Sequence, residues 1–506
     1  MTTTSTARAA ALGRAPTLFI LLVGVAIGLL IASLTIPDGA TRVVAGEGDL
    51  EGVALDEFGQ PIEGLSGEEG GSATGGSGGG STSRGGTASG GGSDPGGSGG
   101  SAAGGGSAGG SAAVRGVGDS TIKIGVAIPD IGPFAVVPEF NLGDMRGHFE
   151  AILDRWKREG ALPVHGRNIE FVYRVFSIIG DEDVASCNGF VKDDQVFMVI
   201  GIRSYEGGAE CLADRFDTPV VTLEFASPQG EGAYQRMHPY LFTLRASAER
   251  SAANFVQWAH EGGHLNGKKI GIYHEPDAEP TFNTVKSRLE AFGYEVAEEA
   301  TTNRKEGSAN DSVAVQRFRS AGIDLVILQV SALAASNFME NANSQAYRPT
   351  YIDSDYGDHT SDAASTTHPP AQYDQTLAMT MTRVGEVATT GQLSPPGEAC
   401  VSNFERYSGR TINRGPPETA EMMVMLQGCD EANIVMSSLQ RVGRNLNRAT
   451  FIAGVDSLDQ LVGAFHGSYQ FTPQKHHGAN SQRTVQWLAS CECWTAKNNF
   501  GPLWIR

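Results

Sequence analysis

From Ile122 onward the apolar positions alternate between two spacings. Short, almost continuous apolar runs such as IKIGVAI (122–128) suit strands covered on both faces. Between such runs the apolar residues fall three and four apart. Met145, Phe149, Ile152, Leu153 and Trp156 share one helical face in this way. The pattern predicts strands over 169–176, 196–202 and 219–225, with helices over 181–193 and 206–216 between them.

After LFTLR (241–245) the rhythm restarts. It predicts helix 247–261, strand 268–275, helix 281–292, strand 294–300, a helix near 311–320, strand 324–330, helix 333–345 and strand 349–355. The stretch 398–465 reads as mostly helical, and TVQWL (484–488) as a final strand. Alternation of this kind predicts an α/β fold in which helices cover both faces of parallel sheets. Two rounds predict two Rossmann-like lobes. In open sheets of this class ligands gather beyond the carboxyl ends of the strands. The residues just after those ends are therefore the site candidates.

The N-terminal part has a different character. Residues 17–36 hold no charge over twenty positions, the length of a helix that crosses a bilayer. Arg8 and Arg14 precede the run, and no acidic residue does, which places residues 1–16 in the cytoplasm and the body outside. A cleaved secretory signal is the competing reading, although Ile31-Ala32-Ser33 makes a poor cleavage site. A lipoprotein anchor does not fit, because the first cysteine is Cys187. Of the 40 residues from 71 to 110, 20 are glycine, a composition too poor in apolar surface to fold. The sequence thus predicts an anchor, a disordered Gly/Ser-rich leash over 37–118, and a globular body.

The body carries 33 basic and 47 acidic residues and no basic cluster, which argues against nucleic acid and against an anionic membrane surface. All six cysteines lie in it. An even count outside the cell suggests disulfides. The spacings suggest Cys187 with Cys211 and Cys400 with Cys429, and leave Cys491 and Cys493 unassigned. No CxxC supports zinc, and no metal or cofactor is expected. Adjacent His476 and His477 read as part of a turn. No GxxxxGK[ST] motif is present and the body holds no GxSxG, and nothing in the sequence assembles an enzyme's nucleophile, base and oxyanion donors.

The segment IKIGVAIPDIGPFA (122–135) resembles the opening of the type I periplasmic-binding-protein family, above all its leucine/isoleucine/valine-type receptors of ABC importers. Further similar segments follow in order at 196–222, 240–259, 324–352 and 467–488. The resemblance implies two lobes joined by three crossovers that close on a small solute. First-lobe parts would span 119–246 and 379–466, with 247–378 and 467–506 in the second lobe. It also implies a bridge between Cys187 and Cys211, a permease partner in the membrane, and a monomeric receptor. Carried over by position, the solute site comprises Ser204, the loop Glu224, Phe225, Ala226 and Ser227, then Tyr273, His274, Ser331 and Asp355.

Each candidate has a plainer alternative. Ser204 could cap the helix that starts near Glu206. Asp353, Asp355 and Asp358 could serve turns, Tyr273 could be core, and Phe134 and Phe140 could pack rather than line an apolar wall. Glu224 departs from the family pattern, where small residues and a hydroxyl are usual. A carboxylate there would repel a ligand carboxylate and attract a cation. The expected solute is therefore an amino acid, an amide or a cationic relative. A ligand-sensing ectodomain or a scaffold acting through a separate membrane partner is the alternative.

Overall fold

The computed structural model describes residues 114–132, 140–178, 182–202, 205–222, 230–302 and 308–505. The first sheet contains β1 (Thr121–Asp130), β2 (Asn168–Ser177), β3 (Met198–Gly201), β4 (Val220–Thr222) and β5 (Leu241–Thr243). All are parallel, in the order β2-β1-β3-β4-β5. Their apolar side chains meet helices on both faces, which is why the strands read as continuous rather than alternating runs.

The second sheet starts as another parallel set. It holds β6 (Ile270–His274), β7 (Val296–Thr301), β8 (Leu325–Gln329), β9 (Thr350–Ser354) and β10 (Leu377–Thr380). After a short ribbon of β11 (Leu461–Val462) and β12 (Ser468–Tyr469), the chain returns to this sheet. There β13 (Ser481–Leu488) runs antiparallel to β10, and β14 (Cys493–Ala496) and β15 (Gly501–Pro502) pair with β13. The expected last strand is thus followed by two more, and this edge of the sheet is antiparallel. A hairpin needs only the short Ala489–Glu492 turn, whereas a parallel partner would need a long crossover.

Helices Pro395–Ser408, Ala420–Val442 and Arg448–Asp456 return to the first lobe. Val424, Val435, Leu439 and Phe451 enter the core that also holds Ile124, Val126 and Met198. Cys400 and Cys429 tie the first two of these helices, at S–S 2.05 Å, and Cys187–Cys211 joins two helical segments beside β2 and β3. The cysteines left unassigned by spacing pair with each other, Cys491 with Cys493, in the β13–β14 turn.

Three crossovers link the lobes. Residues 244–247 lead out of β5, 381–385 lead out of β10, and 463–480 lead back. They are bonded side by side: Gly478 N donates to Thr243 O at 2.6 Å, Gly467 N to Met381 O at 3.0 Å, and Arg383 N to Phe465 O at 2.7 Å. The third crossover therefore contacts the end of β5, where the first crossover begins, and the second crossover.

The leash is expected to run through Gly118, but the last five positions of that range are folded onto the body. Val114–Gly118 lies on the first lobe, where Arg115 Nε donates to Val196 O at 3.1 Å and Lys123 N to Gly116 O at 2.8 Å. Gly116 has φ +76°, and a Cβ there would sit 2.1 Å from Phe197 N, so only glycine allows this approach. The predicted anchor at 17–36 and the glycine-rich tract lie outside the described residues. Among the described residues no helix is long and apolar enough to cross a membrane.

Candidate functional site

The carboxyl ends of β8 and β9 open onto a small cavity beneath the first crossover. Arg245, Phe255, Thr281, Gln329, Ser354, Asp355 and Tyr356 line it, together with Ser251 and Ala252. In this conformation it has room for about one water molecule.

Arg245 supplies the cavity's cation. It comes from the first crossover, is 5% exposed, and donates from Nη1 to Asp355 O at 2.9 Å. Its Nη2 lies 3.4 Å from Asp358 Oδ1. Gln329 ends the otherwise apolar strand LVILQ and is 1% exposed. Its Nε2 donates to Leu328 O at 3.0 Å. Among the described residues, Arg245 Nε and Gln329 Oε1 have no hydrogen-bond partner. One buried cationic donor and one buried acceptor thus border the same cavity.

A buried network fixes the floor below them. Asp353 Oδ2 takes the His359 imidazole at 2.6 Å and the Tyr373 hydroxyl at 3.0 Å. Burial pulls the His359 imidazole down, but the charge and hydrogen bond of Asp353 outweigh it and hold the pKa above its ordinary value. This pair fixes the turn that carries Asp355, Tyr356 and Asp358.

Asp355 lines the cavity, yet its carboxylate is committed inward. Oδ1 accepts from the Thr360 and Thr380 hydroxyls, both at 2.5 Å, and Oδ2 accepts from Met381 N at 2.7 Å. Tyr273 is fully buried in the second-lobe core, packed on Phe338, with its hydroxyl on Asp311. His274 stacks on Phe282 at 3.8 Å, and burial lowers its pKa. Ser331 offers its backbone N–H to Glu275 Oε1 at 3.1 Å. None of these last three lines the cavity. Ser204, the Glu224–Ser227 loop and Phe134 lie outside the described residues, while Phe140 is partly buried.

Arg245 and Gln329 were not singled out from the sequence. The available signal was a lone polar residue closing an apolar run, LFTLR for one and LVILQ for the other. The histidine pair has separate tasks. His476 Nε2 lies 3.0 Å from Asp456 Oδ1 and its ring stacks on Phe242, whereas His477 faces Tyr234 and burial pulls its pKa down to about 4. His148 approaches Cys400 and Cys429, but the disulfide commits both sulfurs.

A family model described as periplasmic binding protein matches residues 121–492. No curated protein matches the chain. Among solved structures, a solute-binding protein of an ABC transporter from Rhodopseudomonas palustris BisB5, in complex with 3,4-dihydroxybenzoic acid, aligns with TM-score 0.57 and 17% identity. The alignment covers 76% of this chain and 98% of that one. A possible leucine/isoleucine/valine-binding protein from Rhodopirellula baltica SH 1 aligns with TM-score 0.58 and 14% identity, over 75% and 96%. A branched-chain amino acid ABC transporter protein from Thermus thermophilus with bound valine gives TM-score 0.57 and 14% identity, over 76% and 97%. With two α/β lobes, three bonded crossovers and a family match across most of the body, the chain belongs to the periplasmic binding protein family.

Proposed function

We propose that this protein is an extracytoplasmic solute-binding receptor that delivers its ligand to an ABC permease. In this reading residues 17–36 anchor it in the membrane and the glycine-rich tract lets the body reach the transporter. The supporting observation is the cavity at the strand ends, where Arg245 Nε and Gln329 Oε1 are buried without hydrogen-bond partners among the described residues. Buried polar groups of this kind cost stability unless something bonds them. A small polar solute that presents an acceptor to Arg245 and a donor to Gln329 meets both needs. Amino acids, amides and hydroxylated carboxylates all have this pairing. The neighbours bind benzoates and valine according to their own structures, so the fold does not choose among these classes.

The test is a thermal-shift screen of the full-length chain in detergent against those classes and polyamines. A solute at 100 times its dissociation constant adds about 2.7 kcal/mol of stability. With the solute so found, Gln329→Leu is expected to bind at least about tenfold more weakly, the cost of one lost buried hydrogen bond. The same variant without solute should be at least as stable as the parent, because the unpartnered acceptor is gone. Failure of every class to shift a folded sample would overturn the receptor reading.

A further inference from the structure

Glu418 precedes the first-lobe helix Ala420–Val442, and Asp362 opens the second-lobe helix Asp362–Ser365. Glu418 N donates to Asp362 Oδ2 at 2.8 Å, and Trp494 N from β14 donates to Asp362 Oδ1 at 2.7 Å. Glu418 Oε1 accepts from Gly385 N at 3.2 Å, at the end of the second crossover. This contact joins the lobes apart from the crossovers themselves. Both carboxyls are buried, at 1% and 8% exposure.

The charges around them leave an imbalance. Arg483 on β13 is a buried cation that acts on Glu418. It bonds Val384 O at 2.9 Å, lies over the Phe500 ring, and has no partner for Nε among the described residues. Glu386 also acts on Glu418, but Arg383 neutralises it through bonds of 3.0 and 3.1 Å. Asp355 also acts on Arg483. Arg483, shared with Asp355, does not offset both carboxylates, so full ionisation of the pair leaves negative charge unbalanced and protonation relieves it.

We propose that Asp362 and Glu418 form a proton-operated latch between the lobes, docked while the pair holds a proton and loosened when it leaves. Burial pushes Asp362 up to about 7, and burial with the charge of Asp362 pushes Glu418 well above the usual carboxylate range. Raised values in the docked state mean that docking is strongest in acid. It weakens as pH rises from the ordinary carboxylate range through about 7. Undocked, both groups would be ionised throughout that window. The inference rests on the two-lobe fold and not on any solute.

Amide hydrogen exchange of the full-length chain in detergent reads the latch directly, through peptides that contain the Glu418 and Trp494 amides. After correction for intrinsic exchange, protection there should fall between pH 6 and 8, by about tenfold per pH unit for each proton held only when docked. Glu418→Gln keeps an acceptor for Gly385 N and cannot ionise, so its profile should flatten. Asp459→Asn, at an exposed carboxylate, should keep the parental slope. A parent with no pH dependence, or a Glu418→Gln variant with the parental slope, would overturn the proposal. Infrared spectroscopy of the parent is a second measurement that needs no variant. A protonated carboxyl band at neutral pH is expected, and its absence would equally overturn the latch.

Discussion

Replacing Asp355 with alanine is expected to lower folding stability by about 3 kcal/mol, measured as a shift in the urea midpoint at constant slope. The carboxylate receives the hydroxyls of Thr360 and Thr380 and the backbone N–H of Met381. It thereby ties the end of β9 to the start of the second crossover. Alanine leaves the Met381 N–H and the two hydroxyls without this acceptor in a buried place. The hydroxyls can turn elsewhere, since Thr380 already lies 2.8 Å from the Thr382 hydroxyl. The backbone N–H cannot. Asp355→Asn should be much milder, at about 1 kcal/mol, because its oxygen can face Met381 N while its amide donates to the hydroxyls. A residue whose work is to hold a solute's ammonium gives the opposite pattern: both variants stay stable and both lose binding.

Asp430→Ala is expected to be more damaging still, by about 3–5 kcal/mol. Asp430 sits within the long helix Ala420–Val442 and is 2% exposed. Its Oδ1 accepts from Ala464 N at 2.5 Å, and Oδ2 from Phe465 N and His466 N at 3.1 and 3.0 Å. His466 Nδ1 lies 3.1 Å from the same oxygen. One carboxylate thus collects the start of the third crossover, which in turn pairs with Met381 and Arg383. Here asparagine should not rescue. Every direction around the carboxylate meets a donor, so a side-chain amide nitrogen would face a backbone N–H. Urea unfolding of both variants checks this contrast with Asp355.

The two aspartates show where the sequence was legible. The βα alternation and both lobes could be read because buried parallel strands and one-sided helices leave strong, different periodicities. Asp355 could be placed at a strand end, but not oriented. Whether a carboxylate turns to a cleft or to a crossover depends on Thr360, Thr380 and Met381, which are brought to it by folding. Tyr273 illustrates the same limit. In a strand buried on both faces, every position is apolar, so the period of two no longer marks which face a side chain takes. Arg245, Gln329, Asp430 and the Asp362–Glu418 pair were passed over for a related reason. Arg245, Gln329 and Asp430 are each a polar residue in or at the end of an apolar run, whereas Asp362 and Glu418 lie in polar stretches that look like ordinary surface. The partners of Arg245, Asp430, Asp362 and Glu418 are distant in sequence. The run MMVMLQGCDEANIVM did contain a clue, because an acid inside a helix apolar on most sides must be bonded once buried. The tail of the leash was misjudged because Val114–Gly118 is anchored by a single arginine and one close glycine contact, which composition averages away.

The central claim is that the lobes close on a solute. All six cysteines are paired, so thiol labels would go only to introduced sites. Asn141→Cys and Glu279→Cys place spin labels on exposed positions of the segments that follow β1 and β6. Pulsed dipolar spectroscopy of the doubly labelled full-length chain then measures their separation. Adding the solute found by the thermal-shift screen should shorten and narrow the distance distribution. A distribution unchanged at saturating solute would contradict the account.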